Sequence, residues 1–314
     1  MGLTAPKRRA FLNTLELRLR RSYGADLQRF FGALMSRVHR ENFEAAGTDY
    51  SRGDLQCDGR LVDPETIFAC YGPANAGANA TEASMRTAVA KVRSDFEGAM
   101  RNWPGMTAWV FVTNYLETPA QMLKEVAALR DAFPAIKITT FAKDSFERVL
   151  LSLEIDEIED LFLGDMTDED FRNIEARDIM AVVRDVMANV GVRHELDEPP
   201  KPVPEGKLEF NELSSLTRDR IAKGFAGVPM VKRLFADYPD PLVPPDLAAA
   251  YRSKYQELEL QGLAPGDIMD GLYLFTINGH PATTSREAAV WTVIAYFFEA
   301  CTIFREPPVA EKAA

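Results

Sequence analysis

Between positions 12 and 39 the apolar residues Leu15, Leu19, Leu27, Phe31, Leu34 and Val38 recur at helical intervals, which predicts helix. Gly24, within the stretch from Ser22 to Asp26, is the natural break between two such helices. A short strand is expected at 42–45, and the apolar run Thr-Ile-Phe-Ala-Cys-Tyr at 66–71 predicts another. Met85, Val89, Val92, Phe96 and Ala99 then mark one face of an amphipathic helix over 82–103. Residues 107–114 are almost continuously apolar and suit a central strand covered on both faces. A helix over 119–131, opened by Thr118 and Pro119, a strand over 136–141 and a helix over 144–153 complete the series. Strands alternating with helices of about a dozen residues predict an α/β fold: a mixed sheet flanked by helices on both sides.

The pattern changes beyond residue 165. Asp168, Glu169 and Asp170 suit the N-terminus of a helix over 168–190, where carboxylates meet the positive end of the backbone dipole. The run Glu-Pro-Pro-Lys-Pro-Val-Pro-Glu-Gly at 198–206 predicts a stiff extended linker. After it, periodic segments at 213–225, 229–236, 245–261, 264–275 and 286–298 all read as helices. The expected organisation is an α/β domain over 1–165, an acidic helix and linker over 166–206, and a helical domain over 207–314. With 314 residues, the two folded parts are each long enough to bury a core.

Charge and composition narrow the chemistry. The net charge is −11, yet residues 1–60 hold eleven Lys and Arg against seven Asp and Glu. Lys7, Arg8, Arg9, Arg18, Arg20 and Arg21 form either a basic face for nucleic-acid phosphates or an ordinary solvated helix face. Three cysteines without metal-ligand spacing suit a reducing cytoplasm, and His39, His194 and His280 form no cluster. No apolar run is long enough for a membrane span, and no leader pattern is expected at the start.

The candidate chemistry lies in residues 53–59, Gly-Asp-Leu-Gln-Cys-Asp-Gly, followed by the strand at 66–71. Asp-Gly pairs also form ordinary turns, so Asp58-Gly59 is equally a hairpin bend by its residues alone. Together with the order of elements over the first 165 residues, the stretch resembles the restriction-endonuclease-like nuclease core, in particular its Mrr type. There a Gly-Asp-x-x-x-Asp-Gly stretch precedes a strand ending in Gln-x-Lys or Glu-x-Lys. Gly53, Asp54, Asp58 and Gly59 match the first half, whereas Ala69 and Tyr71 stand where the polar residue and the lysine belong. The resemblance implies a metal-dependent nuclease acting on DNA, with Mg²⁺ or Mn²⁺ held by Asp58 and Asp54. Hard cations of this kind prefer carboxylate oxygens. Asp58 is expected to face Tyr71 across the hairpin from the accessible side of the sheet, and Lys91, on the following helix, is either the candidate for the missing lysine or a solvated lysine on that helix's outer face.

The segments 255–263 and 295–306 resemble the C-terminal helical domain of bacterial ABC-three-component antiphage defence systems. That resemblance implies an effector subunit working with an SMC/ABC-type ATPase, and self-association of the chain is a further expectation. This chain carries no Gly-x-x-x-x-Gly-Lys-Ser/Thr of its own. Three functions stand side by side: a DNA endonuclease effector, a degenerate nuclease-like module that binds DNA or assembles the system, and a pure interaction protein. Trp291, Tyr296, Phe297, Phe298 and Phe304 are core or a partner surface.

Overall fold

The computed structural model of the protein describes residues 3–47, 55–74, 76, 80–188, 211–300 and 303–304. Contacts divide the chain into two units, residues 15–161 and residues 1–14 together with 162–314. The proline-rich run at 198–206 lies outside the described residues.

The first unit is α/β. Helices α1 (Ala5–Arg21), which begins in the other unit, and α2 (Ala25–His39) are separated at Gly24, whose φ of 54° lies in the left-handed region that glycine tolerates. They lead into β1 (Phe43–Ala45), β2 (Gly59–Leu61) and β3 (Thr66–Tyr71). Helix α3 (Glu82–Asn102) then connects β3 to β4 (Ala108–Thr113), and α4 (Ala120–Ala132) connects β4 to β5 (Lys137–Phe141). The sheet has five strands in the order β1-β2-β3-β4-β5. Its first three strands pair antiparallel and its last three parallel. The predicted strands and helices of this region are all found. Thr118 is not the cap of α4, because the capping position falls on Pro119.

Alternation along the strands assigns the two faces. Phe68 and Phe141 join Phe31 of α2, Phe43 of β1 and Phe146 of α5 (Lys143–Leu150) in an aromatic cluster on one side. On the other side Ile67, Ala69, Trp109 and Phe111 pack with Val92 and Phe96 of α3 and with α4. Trp109, Phe111 and Val112 are completely buried, as the apolar run of β4 predicts for a strand covered on both faces. Gly59 is fixed by its neighbour: a Cβ there would lie 2.6 Å from Cζ of Phe43. Gly59→Val is therefore expected to cost about 1–3 kcal/mol through overpacking, read as a lowered midpoint in urea unfolding.

The second unit is helical. After α6 (Ile155–Phe162), the helix expected at 168–190 is two helices, α7 (Asp168–Arg172) and α8 (Ala176–Ala188). The physical reason is local. Thr167 and Asp170 form a reciprocal capping box that opens α7, while the Asp178 carboxylate accepts the Glu175 N–H at 3.0 Å and opens α8. The rest comprises α9 (Ser215–Gly224), α10 (Val228–Ala236), α11 (Val243–Leu260), α12 (Pro265–Ile277) and α13 (Thr284–Glu299). Helix α13 is buried on all sides, with Ala288, Val290, Val293 and Ile294 inaccessible, as a helix apolar all round must be. Trp291, Phe297, Phe298 and Phe304 belong to the core, and Tyr296 is partly covered.

Candidate functional site

Asp58 is tied to both strands beside it. Its N–H donates to the Phe68 carbonyl at 2.8 Å, and its carbonyl accepts from Ala46 N–H at 3.2 Å. Its carboxylate Oδ2 accepts the Cys70 N–H at 2.6 Å. The side chain thus takes up a backbone donor where the β2–β3 ladder ends at Gly59, the partner of Phe68. Such a bond offsets the cost of removing a carboxylate from water, and Asp58 is only 8% exposed. The expectation of an accessible Asp58 facing Tyr71 is corrected accordingly: the residue is buried, and its carboxylate engages Cys70. Asp54 lies outside the described residues.

On β3, Ala69 is sealed into the core beneath α3, so nothing polar stands at that position. Tyr71 stacks on Phe111 with ring centres 6.1 Å apart. Burial raises its phenol pKa, and the Lys91 ammonium opposes that rise, so the group is neutral at pH 7. Lys91, one of the residues singled out from the sequence, is therefore within electrostatic reach of the end of β3. Its Nζ donates to Asp95 Oδ1 at 2.6 Å. Nearby, the Tyr115 phenol is pushed up by burial and by Tyr71, and its hydroxyl has no hydrogen-bond partner among the described residues.

Asp95 is the residue that sequence reasoning missed. It lies three positions after Val92 and four before Ala99, on the stripe of α3 that faces the sheet, and it is 4% exposed. An acid at a core-facing helical position was the signal available in the sequence.

The remaining candidates separate. Lys7 pairs with Asp270 at 3.2 Å and Arg20 with Glu16 at 2.8 Å, so these two cations are engaged within the protein. Arg18 lies over the Phe30 ring, while Arg8 and Arg9 are exposed. In the acidic clusters, Glu157 bonds Arg40 at 2.5 Å and Asp170 completes the capping box, which are structural roles. Among the described residues no three His, Cys, Asp or Glu side chains converge on a common point. Mg²⁺ needs less than that, being held by one or two carboxylates with water and substrate phosphate completing its shell. Asp58 is one carboxylate of that kind, and the second acid named from the sequence, Asp54, is not among the described residues.

The helical unit holds a buried ionic cluster of its own. Arg220 donates to Thr14 Oγ1 at 3.0 Å and lies over the Trp291 ring, and Tyr273 donates to the buried Glu287 carboxylate. Thr4 bonds Asp267 at 2.8 Å beside the Lys7–Asp270 pair. Burial raises the Asp270 pKa to about 6 against the opposing charge of Lys7, while Asp267 adds to the rise. The folded state therefore holds a proton that the unfolded chain has released between the ordinary carboxylate pKa and pH 6. The Asp270 contribution to stability falls as pH rises through that window, by up to about 3 kcal/mol. Asp270→Asn should flatten this part of the stability profile, measured by urea unfolding from pH 4 to 7.

Comparison with known families bears on the helical part. Residues 177–305 match the family model described as C-terminal domain 10 of the ABC-three component systems. No curated protein and no solved structure matches the chain.

Proposed function

We propose that this chain is a subunit of an ABC-three-component antiphage defence system, with residues 177–305 linking it to the other components. In this reading its α/β unit is a restriction-endonuclease-like effector that hydrolyses DNA phosphodiester bonds when a partner ATPase activates it. The family match supports membership of such a system. The antiparallel-then-parallel sheet between two helical layers is in keeping with the nuclease core.

The observation that carries the catalytic part is the position of Lys91. The strand position that would hold the lysine carries Tyr71, and Lys91 of α3 brings a positive charge to bear on that phenol. Asp58, with Asp54 as second acid, would hold Mg²⁺ or Mn²⁺. A metal bound there supplies Lewis-acid polarisation of the phosphate and a more acidic water. Lys91 offsets the negative charge that develops on the phosphate oxygens. Tyr71 contributes one neutral hydrogen bond at most, and Tyr71→Phe should matter little.

A second reading is a degenerate module that binds DNA or assembles the system without cutting. It is favoured by the burial of Ala69 and by the engagement of the Asp58 carboxylate with Cys70. Supercoiled plasmid incubated with the purified chain and Mg²⁺ or Mn²⁺, alone and with its ATPase, separates the two. The nuclease reading expects metal-dependent cleavage that falls by about two orders of magnitude in Lys91→Ala, a loss typical for one electrostatic stabiliser. A chain that retards DNA in a gel and never cleaves it is the degenerate module.

A further inference from the structure

Helix α3 carries two kinds of ion pair. Arg86–Glu82 and Arg93–Glu97 are solvent-exposed pairs at four-residue spacing, 3.1 and 3.9 Å long, and Arg93 also reaches Glu125 of α4 at 2.6 Å. Lys91–Asp95 differs from them. It is 2.6 Å long, and its acid is 6% exposed while its lysine is 44% exposed. Like Arg93–Glu97 it places the acid after the base, the less favourable order for stabilising a helix. Helix stabilisation therefore does not account for a carboxylate on the core-facing stripe, where burial is costly and a small apolar residue would pack well. What the arrangement does achieve is to fix the direction of the lysine. Lys91 has a flexible four-carbon stem, and a buried acceptor one turn further on ties its head to α3, the helix whose Ala88 and Val92 belong to the cluster that Tyr71 packs against.

We propose that Asp95 is a positioning residue: it fixes the direction of the Lys91 ammonium on α3, so that the charge is in place before a phosphate group arrives. This deepens the nuclease reading and rests on it for its catalytic consequence, whereas the anchoring of Lys91 stands independently. Preorganised charge requires no reorganisation at the moment of reaction, which is why the anchor matters for turnover more than for binding. Asp95 acts through Lys91 and does not itself touch the substrate.

The test uses the full-length chain as wild type, Asp95→Asn, Asp95→Glu, Lys91→Ala and the double variant Asp95→Asn/Lys91→Ala. Reductive methylation with formaldehyde and borohydride, read residue by residue by mass spectrometry, reports on the Lys91 amine directly. Asp95→Asn should raise Lys91 labelling several-fold, and Asp95→Glu should restore part of the protection. Plasmid cleavage should fall in kcat toward the Lys91→Ala level with KM little changed, and the double variant should be no worse than Lys91→Ala alone. Unchanged labelling in Asp95→Asn overturns the proposal, as does a double variant far below Lys91→Ala, which would give Asp95 a role of its own. Should Asp95→Asn not fold, Asp95→Ala, which removes the acceptor and suits the apolar stripe, carries the same labelling test. Increased labelling in a chain whose wild type never cleaves DNA supports the anchoring and removes the nuclease reading.

Discussion

Asp58→Asn is expected to abolish plasmid cleavage and to leave the fold intact. The amide oxygen of Asn can still accept the Cys70 N–H that Asp58 Oδ2 takes at 2.6 Å, so the end of the β2–β3 ladder keeps its acceptor. The negative charge needed to hold a divalent cation is gone. Losing several kcal/mol of charge stabilisation slows cleavage on the order of a thousandfold, about 4 kcal/mol in barrier height. Asp58→Ala is the less informative variant. It takes the Asp58 acceptor from the part-buried Cys70 N–H and should cost about 1 kcal/mol of stability as well. Urea unfolding of the two variants beside the cleavage assay separates the structural duty of Asp58 from the chemical one: both lose cleavage, and only Asp58→Ala loses stability.

Arg220→Leu is expected to have the largest effect on stability. Arg220 is 5% exposed, bonded to Thr14 and stacked over Trp291. Burial raises the pKa of the fully enclosed Glu287, and the Arg220 charge is the largest influence opposing that rise. Removing the cation leaves Glu287 and Asp270 with less compensation in the interior and frees the Thr14 hydroxyl of its donor. Losing a buried charge-assisted hydrogen bond of this kind, with the compensation it gives Glu287, costs about 2–3 kcal/mol. Chemical denaturation should show the shift. Arg220→Leu/Glu287→Leu should recover part of it, because an uncompensated acid is worse than an apolar pair.

Periodicity and apolar runs made most of the α/β unit legible in the sequence. β3, β4 and β5 follow from runs that a sheet must bury, and α3 follows from the spacing of Val92, Phe96 and Ala99. β2 is three residues long and has no pattern of its own, so only the hairpin argument reached it. The break between α7 and α8 depended on two capping carboxylates, Asp170 and Asp178, embedded in an acidic run that suggested one continuous helix. α6 was hidden for the same reason, although Ile158 and Phe162 stand four apart and are both completely buried. Residues 1–14 group with 162–314 through pairs such as Thr4–Asp267, which nothing local in the sequence announces.

The candidate site was legible in its residue types and less so in its geometry. Asp58 and Lys91 were singled out from motif and position. The Cys70 N–H that takes the Asp58 carboxylate is a backbone group, invisible to any reading of side chains. Asp95 broke the apolar stripe of α3 and was visible in principle; its bond to Lys91 was not.

The central claim is that Asp58 serves a metal-dependent nuclease. Its most direct test is the rate of supercoiled-plasmid nicking by the full-length chain with its ATPase, ATP and Mg²⁺, measured side by side for wild type and Asp58→Asn. Nicking by the wild type that EDTA stops, and none above background for Asp58→Asn, is the expected result. Equal nicking by the two proteins, or a wild type that leaves the plasmid supercoiled under these conditions, would contradict it.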